Sequence, residues 1–141
     1  MQFSIRPAYD KTFAENLIRQ NMTVYYQQLG MRWDTALFDK NWNELDCYEL
    51  VVDGGRVGIL LLNHDEKAYY IRELQIVDKW QRQGIGSKAI RYVMEIALQA
   101  NLNAIRLRVF YINPAIALYE RMGFCICKTE SGTHYMELNI L

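Results

Sequence analysis

The chain has 141 residues, 51% of them hydrophobic and 23% charged, and its sixteen basic residues balance sixteen acidic ones. That length supports one domain, residues 1–141, with about two thirds of its extended-chain surface buried in one core. A neutral chain of pI near 6.7 lacks the clustered Lys and Arg that a nucleic acid or an anionic membrane demands of a partner.

No apolar run approaches the ~20 residues of a membrane span. The opening MQFSIRPAYDK has no charged segment followed by an apolar one, so it does not read as a signal peptide. Three cysteines, Cys47, Cys125 and Cys127, are odd in number and too few for a disulfide framework. They read as reduced thiols of a cytoplasmic protein.

Phe3 and Ile5, followed by Arg6-Pro7, predict a short first strand that the proline ends. Asp10 suits the N-cap of a helix whose apolar positions are Phe13, Leu17 and Ile18. From Met22 to about Leu45 the chain reads as a second helical or irregular stretch rich in aromatics. Most of those rings suit packing of a helix on a sheet. Tyr26 and Trp33 are the two singled out to reach a substrate.

From Cys47 the pattern becomes a meander. Tyr48–Val52 reads as a strand, Asp53-Gly54-Gly55 as a tight turn and Arg56–Leu62 as the returning strand. Asn63–Glu66 turns again into a strand from Ala68 to Val77. From Ile85 the apolar residues adopt helical spacing through Leu98, and Ala104–Val109 makes a further strand. A strand, helix and strand in that order predict a right-handed crossover between parallel strands. Asn113-Pro114 opens a short helix that Gly123 ends, and Phe124–Lys128 with Thr133–Leu138 forms a closing hairpin around Ser131-Gly132.

Between the strand ending at Val77 and the helix from Ile85 lies Gln81-Arg82-Gln83-Gly84-Ile85-Gly86-Ser87. Two glycines at such a junction let a ligand approach the backbone, and the first N–H groups of the helix then point at it unpaired. The helix dipole adds to this an affinity for anions, phosphate above all. A P-loop would need Lys-Ser/Thr after its second glycine, which is missing here. Gly84 to Ala89 fits the dinucleotide fingerprint G-x-G-x-x-A, but that motif expects its strand to end at the first glycine and an acidic residue farther on. Here Asp78–Gln83 intervene, and the following strand carries Arg106 and Arg108 instead.

Gln81-x-x-Gly84-x-Gly86 resembles the Q/R-x-x-G-x-G/A signature of the GNAT superfamily of N-acetyltransferases. The later segment, Asn113-Pro114-Ala115 through Leu118-Tyr119 to Gly123-Phe124, resembles that family's downstream motif. The likeness spans roughly residues 46 to 138, and the amino-terminal third matches in pattern only. It implies an α/β fold with a mixed, mostly antiparallel sheet of six or seven strands and about four helices. It also implies acetyl-CoA as acyl donor, with Gln81, Arg82, Gln83, Gly84, Ile85, Gly86 and Ser87 cradling the pyrophosphate. Main-chain atoms of Gln75, Ile76 and Val77 would pair with the pantetheine arm, where the strand splays from its parallel neighbour.

By the same resemblance Tyr119 protonates the departing thiolate, a feasible transfer between a thiol of pKa ~8.5 and a phenol near ~10. Asn113 would contact the cofactor arm, although it stands six positions before Tyr119, one fewer than is usual. Glu73, two residues before the cofactor strand segment, is the candidate base, acting through a water. His134 on the last hairpin is a candidate at the acceptor entrance. No metal is implied. The expected acceptor is a small primary amine or amino-acid-like molecule attacked directly in a ternary complex; a peptide amino terminus or lysine is the alternative. A non-catalytic acyl-CoA-binding module is the competing class. Edge strands of such a sheet also suit pairing with a second copy of the chain.

Overall fold

A computed structural model describes residues 1–140; residue 141 of the expected domain lies outside them. In chain order the elements are β1 (Phe3–Pro7), α1 (Lys11–Gln28), α2 (Thr35–Glu44), β2 (Asp46–Val52), β3 (Gly55–His64) and β4 (Tyr69–Ile76). A single helical turn (Asp78–Trp80) leads to α3 (Ile85–Gln99), β5 (Ala104–Phe110), α4 (Ile116–Arg121), β6 (Cys125–Glu130) and β7 (Thr133–Asn139). One seven-stranded sheet runs β1-β2-β3-β4-β5-β7-β6. Every neighbouring pair is antiparallel except β4–β5, the parallel pair joined through α3. The architecture is therefore the mixed, mostly antiparallel α/β sheet with four helices that the sequence implied.

An interior strand of the sheet is β3, where Val57 to Leu62 are buried without interruption. A continuous apolar run marks a strand covered on both faces. Alternation sends Ile59 and Leu61 toward Ala14, Leu17 and Ile18 of α1 and Phe38 of α2. Leu60 and Leu62 face Ala89, Ile90, Val93 and Ala97 of α3, in the larger core. Asp10 caps α1 by accepting from the Phe13 N–H at 3.0 Å, and Asp34 caps α2 through Leu37.

The structure departs from the sequence expectation in the first third. α1 runs unbroken through Met22 to Gln28, and the next helix begins only at Thr35. The strand pairing is also less regular than alternation predicts. Leu61 faces Glu73 while Leu62 faces Ile71, so Arg72 is an extra, bulged residue in β4.

Gly58 lies where β3 and β4 approach most closely. A Cβ there would stand 2.5 Å from the Gln75 carbonyl oxygen and 3.0 Å from Leu50 Cδ1. Neither the β4 backbone nor the buried Leu50 can yield without displacing its neighbours. Gly58→Ala should therefore lower stability by about 1–3 kcal/mol, seen as a fall of a few degrees in Tm. An unchanged Tm would show that β4 shifts there at no cost.

Candidate active site

β4 and β5 pair only through Tyr69↔Ile105, Tyr70↔Arg106 and Ile71↔Leu107. Beyond Ile71 the two strands part, and a cleft of about 880 Å³ opens between them. It is lined by β4 from Ile71 to Ile76, by Gln81, Arg82, Gly84, Gly86 and Ser87, and by residues of α1, β5, α4 and β7. The Val77 N–H donates to Val57 in β3. Backbone groups alternate along a strand, so the Ile76 groups face the split instead.

At one end of the cleft is the glycine loop. Gly84 sits in the left-handed region at φ 83° and caps α3, and Arg82 adopts φ 59°. The first hydrogen bond of the helix runs from the Lys88 N–H to the Gly84 carbonyl at 3.2 Å. The N–H groups of residues 82–87 find no acceptor among the described residues. Six orphan donors at a helix start form an anion cradle, so the loop fits a pyrophosphate. Gln81 holds the loop against the strand by donating from Nε2 to the Ile76 carbonyl at 3.0 Å. Gly86 lets α3 meet α4, since a Cβ there would come within 2.7 Å of Leu118 Cδ2.

At the other end stands Glu73, partly buried. Burial pushes its carboxyl up to about 7, against the opposing pull of the Gln75 amide. Gln75 Nε2 donates to Glu73 Oε1 at 3.0 Å, and its own Oε1 accepts from Asn21 Nδ2 at 3.1 Å. Asn21 Nδ2 also donates to the Ile76 carbonyl at 3.0 Å, tying α1 to the strand end. Tyr119 is buried on α4, its ring set edge-on against Phe124 at 5.8 Å. Its phenol is raised by burial and then by the Glu73 charge, and Tyr26 is raised for the same two reasons. The Tyr119 hydroxyl has no hydrogen-bond partner among the described residues and borders the cleft.

The cleft thus brings together Glu73, Gln75, Ile76, Gln81, Arg82, Gly84, Gly86, Ser87, Asn113, Tyr119 and Tyr26. Asn113 Oδ1 accepts from the Ala115 N–H at 2.9 Å, shaping the turn into α4. The other expected residues lie elsewhere. Val77 packs its side chain into the core beside α1. Ile85 is a core residue, leaving only its backbone at the loop. Gln83 is exposed, turned back onto the Lys79 carbonyl. Trp33 stands behind Tyr26, its indole N–H donating to Glu15 at 3.0 Å, and lines a smaller recess of about 170 Å³. His134 alternates with Thr133 and Tyr135, which line the cleft, so it points to the other face and contacts Thr129 at 2.7 Å.

Sequence reasoning missed Asn21, although a signal existed. It falls four positions after Leu17 on the buried stripe of α1, where the period calls for an apolar side chain. Arg72, Arg108, Phe110, Tyr135 and Arg121 also line the cleft without having been singled out.

Comparison with known proteins agrees with this geometry. The model of the acetyltransferase (GNAT) family matches residues 12–124, reaching into the amino-terminal third. The structure superposes on the PaiA N-acetyltransferase of Thermoplasma acidophilum, solved with coenzyme A, at a TM-score of 0.82 with 17% identity, covering 99% of each chain. It superposes on the ribosomal-protein-S18-alanine N-acetyltransferase of Escherichia coli at a TM-score of 0.73 with 19% identity, covering 99% of this chain and 94% of that one. An uncharacterized N-acetyltransferase, CgeE of Bacillus subtilis (strain 168), is 33% identical over 67 residues, 48% of this chain. The match takes in only 26% of that relative's length. With a family model that covers most of its residues, a split sheet and an anion cradle at the start of α3, the chain belongs to the acetyltransferase (GNAT) family.

Proposed function

We propose that this protein transfers an acetyl group from acetyl-CoA to the primary amine of a small, amino-acid-like molecule, by direct attack in a ternary complex. The observation that carries the reading is one continuous cleft with unpaired loop N–H groups at one end and a Glu73–Tyr119 pair at the other. The alternatives are a peptide amino terminus or lysine as acceptor, and an acyl-CoA-binding module without catalysis.

Bound acetyl-CoA would supply an activated acetyl group. The 82–87 backbone and the Arg82 guanidinium hold its pyrophosphate, and the Ile76 N–H on the open edge of β4 polarises the thioester carbonyl. Gln75 serves through its side chain, orienting Glu73. Glu73 takes the proton of the attacking amine, directly or through a water; a carboxyl near 7 is matched to that task at neutral pH. Tyr119, its phenol raised, stays protonated through the physiological range and gives that proton to the departing sulfur. The negative charge on Glu73 raises Tyr119 and so keeps the acid loaded while the base is empty.

Three measurements test this. Thermal unfolding with acetyl-CoA at ~100 times its dissociation constant should show about 2.7 kcal/mol of added stability, a rise of a few degrees. A rise with NADH and none with acetyl-CoA would overturn the reading of the loop. Tyr119→Phe should retain the acetyl-CoA shift yet lose about 10²- to 10⁴-fold in kcat; undiminished turnover would remove Tyr119 as the acid. Glu73 loses its proton as pH rises through about 7, so kcat should climb on the acid side of that value and level off above it. Glu73→Gln should abolish that limb. Identical profiles for the two proteins would assign proton removal to solvent.

A further inference from the structure

Ile71 and Leu107 are the last residues to pair before β4 and β5 separate. The next residue on each strand is an arginine, Arg72 and Arg108, so two basic residues follow the last pair at the apex of the split. Both line the cleft. The bulge turns Arg72 toward the α1 face, where its Nε donates to Asn63 Oδ1 at 2.8 Å and its guanidinium lies 4.5 Å from the centre of the Tyr70 ring. Arg108 alternates with Arg106, which reaches the Tyr70 hydroxyl at 3.2 Å, and so shares that face. The two are near enough that the Arg108 charge helps to lower the Arg72 pKa, after burial.

Unlike three other arginines, this pair has no carboxylate at ion-pair distance among the described residues, although the Asp65 charge is felt at Arg72. Arg6 pairs with Glu49, Arg56 with Asp10 and Arg106 with Glu137. Neither Arg72 nor Arg108 forms an ion pair among the described residues. Arg72 is held in place by Asn63 and Tyr70 with its terminal nitrogens uncommitted, and the Arg108 side chain makes no hydrogen bond among those residues. Both side chains are solvent-exposed, so water screens their mutual repulsion, and an anion entering the cleft meets two guanidinium groups free of an ion pair. A carboxylate fits, since guanidinium donors match its two oxygens.

We propose that Arg72 and Arg108 form the subsite for the carboxylate of the acceptor, which makes the acceptor a free amino acid. This rests on the acetyltransferase reading and narrows its substrate class. Arg108 shares its face with Phe110, whose ring meets Tyr26 at 5.9 Å, and Tyr26 feels the Glu73 charge, so a carboxylate on the arginines and an amine at Glu73 occupy the same end of the cleft, as suits an amino acid. Met22, Tyr26, Met31 and Phe110 line the same cavity and offer an apolar wall for the side chain. A polyamine would meet two like charges here, and an amino terminus or lysine within a protein brings no carboxylate so close to its amine.

The test is a panel of free amino acids, each beside its amide, assayed with acetyl-CoA by thiol release and by the Tm of the CoA-saturated protein. At least one amino acid should exceed its amide by about tenfold or more in kcat/KM. Arg108→Gln should cut that ratio by about tenfold or more and keep the stabilisation by acetyl-CoA, and Arg108→Lys should recover part of the ratio. Equal losses on acid and amide, a preference for amides or polyamines, or a preference for an aminoalkyl phosphate would each overturn the proposal. So would an absence of acetylation and of any Tm shift across the panel while acetyl-CoA still binds. Failure of acetyl-CoA itself to stabilise the protein would instead bring down the acetyltransferase reading beneath it.

Discussion

The structure depends on one interrupted pairing. β4 and β5 are parallel neighbours for three residues and then part, although α3 joins them directly. A strand edge exposed inside a protein leaves backbone groups that must find partners or water. Two side-chain amides, Asn21 from α1 and Gln81 from the glycine loop, converge on the Ile76 carbonyl. The split is thereby held open and shaped, with the remaining edge available to a ligand. The bulge at Arg72 belongs to the same device, since it re-aims the strand where it leaves its partner.

The chemistry follows from what the opening buries. A carboxyl at the bottom of a cleft loses solvation and holds its proton more tightly, which is the position of Glu73. Its charge is felt by tyrosines on both sides, Tyr26 on α1 and Tyr119 on α4, so three elements remote in sequence share one electrostatic environment. The Asn21–Gln75–Glu73 chain of hydrogen bonds fixes the carboxylate in that environment. The Glu73 carboxylate is thus oriented by the helix that also lines the cleft.

Fold and function separate along the cleft. The phosphate end is made of backbone and depends on glycine conformation and helix geometry, features that any chain of this architecture can supply. The other end is lined by side chains, Arg72, Arg108, Tyr26 and Phe110 among them. Of the four arginines on the cleft, Arg82 belongs to the loop and Arg121 to α4, which packs on the start of α3. Arg72 and Arg108 stand apart at the strand split.

The sequence by itself determined most of the elements and the loop. Apolar periodicity marked α3, the Asp53-Gly54-Gly55 turn marked the return into β3, Asp10 marked the start of α1, and Gln81 to Ser87 marked the anion cradle, because all of these are local patterns of one to fifteen residues. Only the tertiary structure decided the rest. It placed β7 between β5 and β6 and fixed Ile71 and Leu107 as the point where β4 leaves β5. It turned His134 to the far face and set Trp33 behind Tyr26. It joined the Gln75 side chain to Glu73 and Asn21. Arg72 and Arg108, thirty-six residues apart, read as ordinary strand residues until the register set them beside one another. Local patterns are written in neighbouring residues, whereas the facing of strands, the site of a bulge and the meeting of two charges depend on pairings across the whole chain.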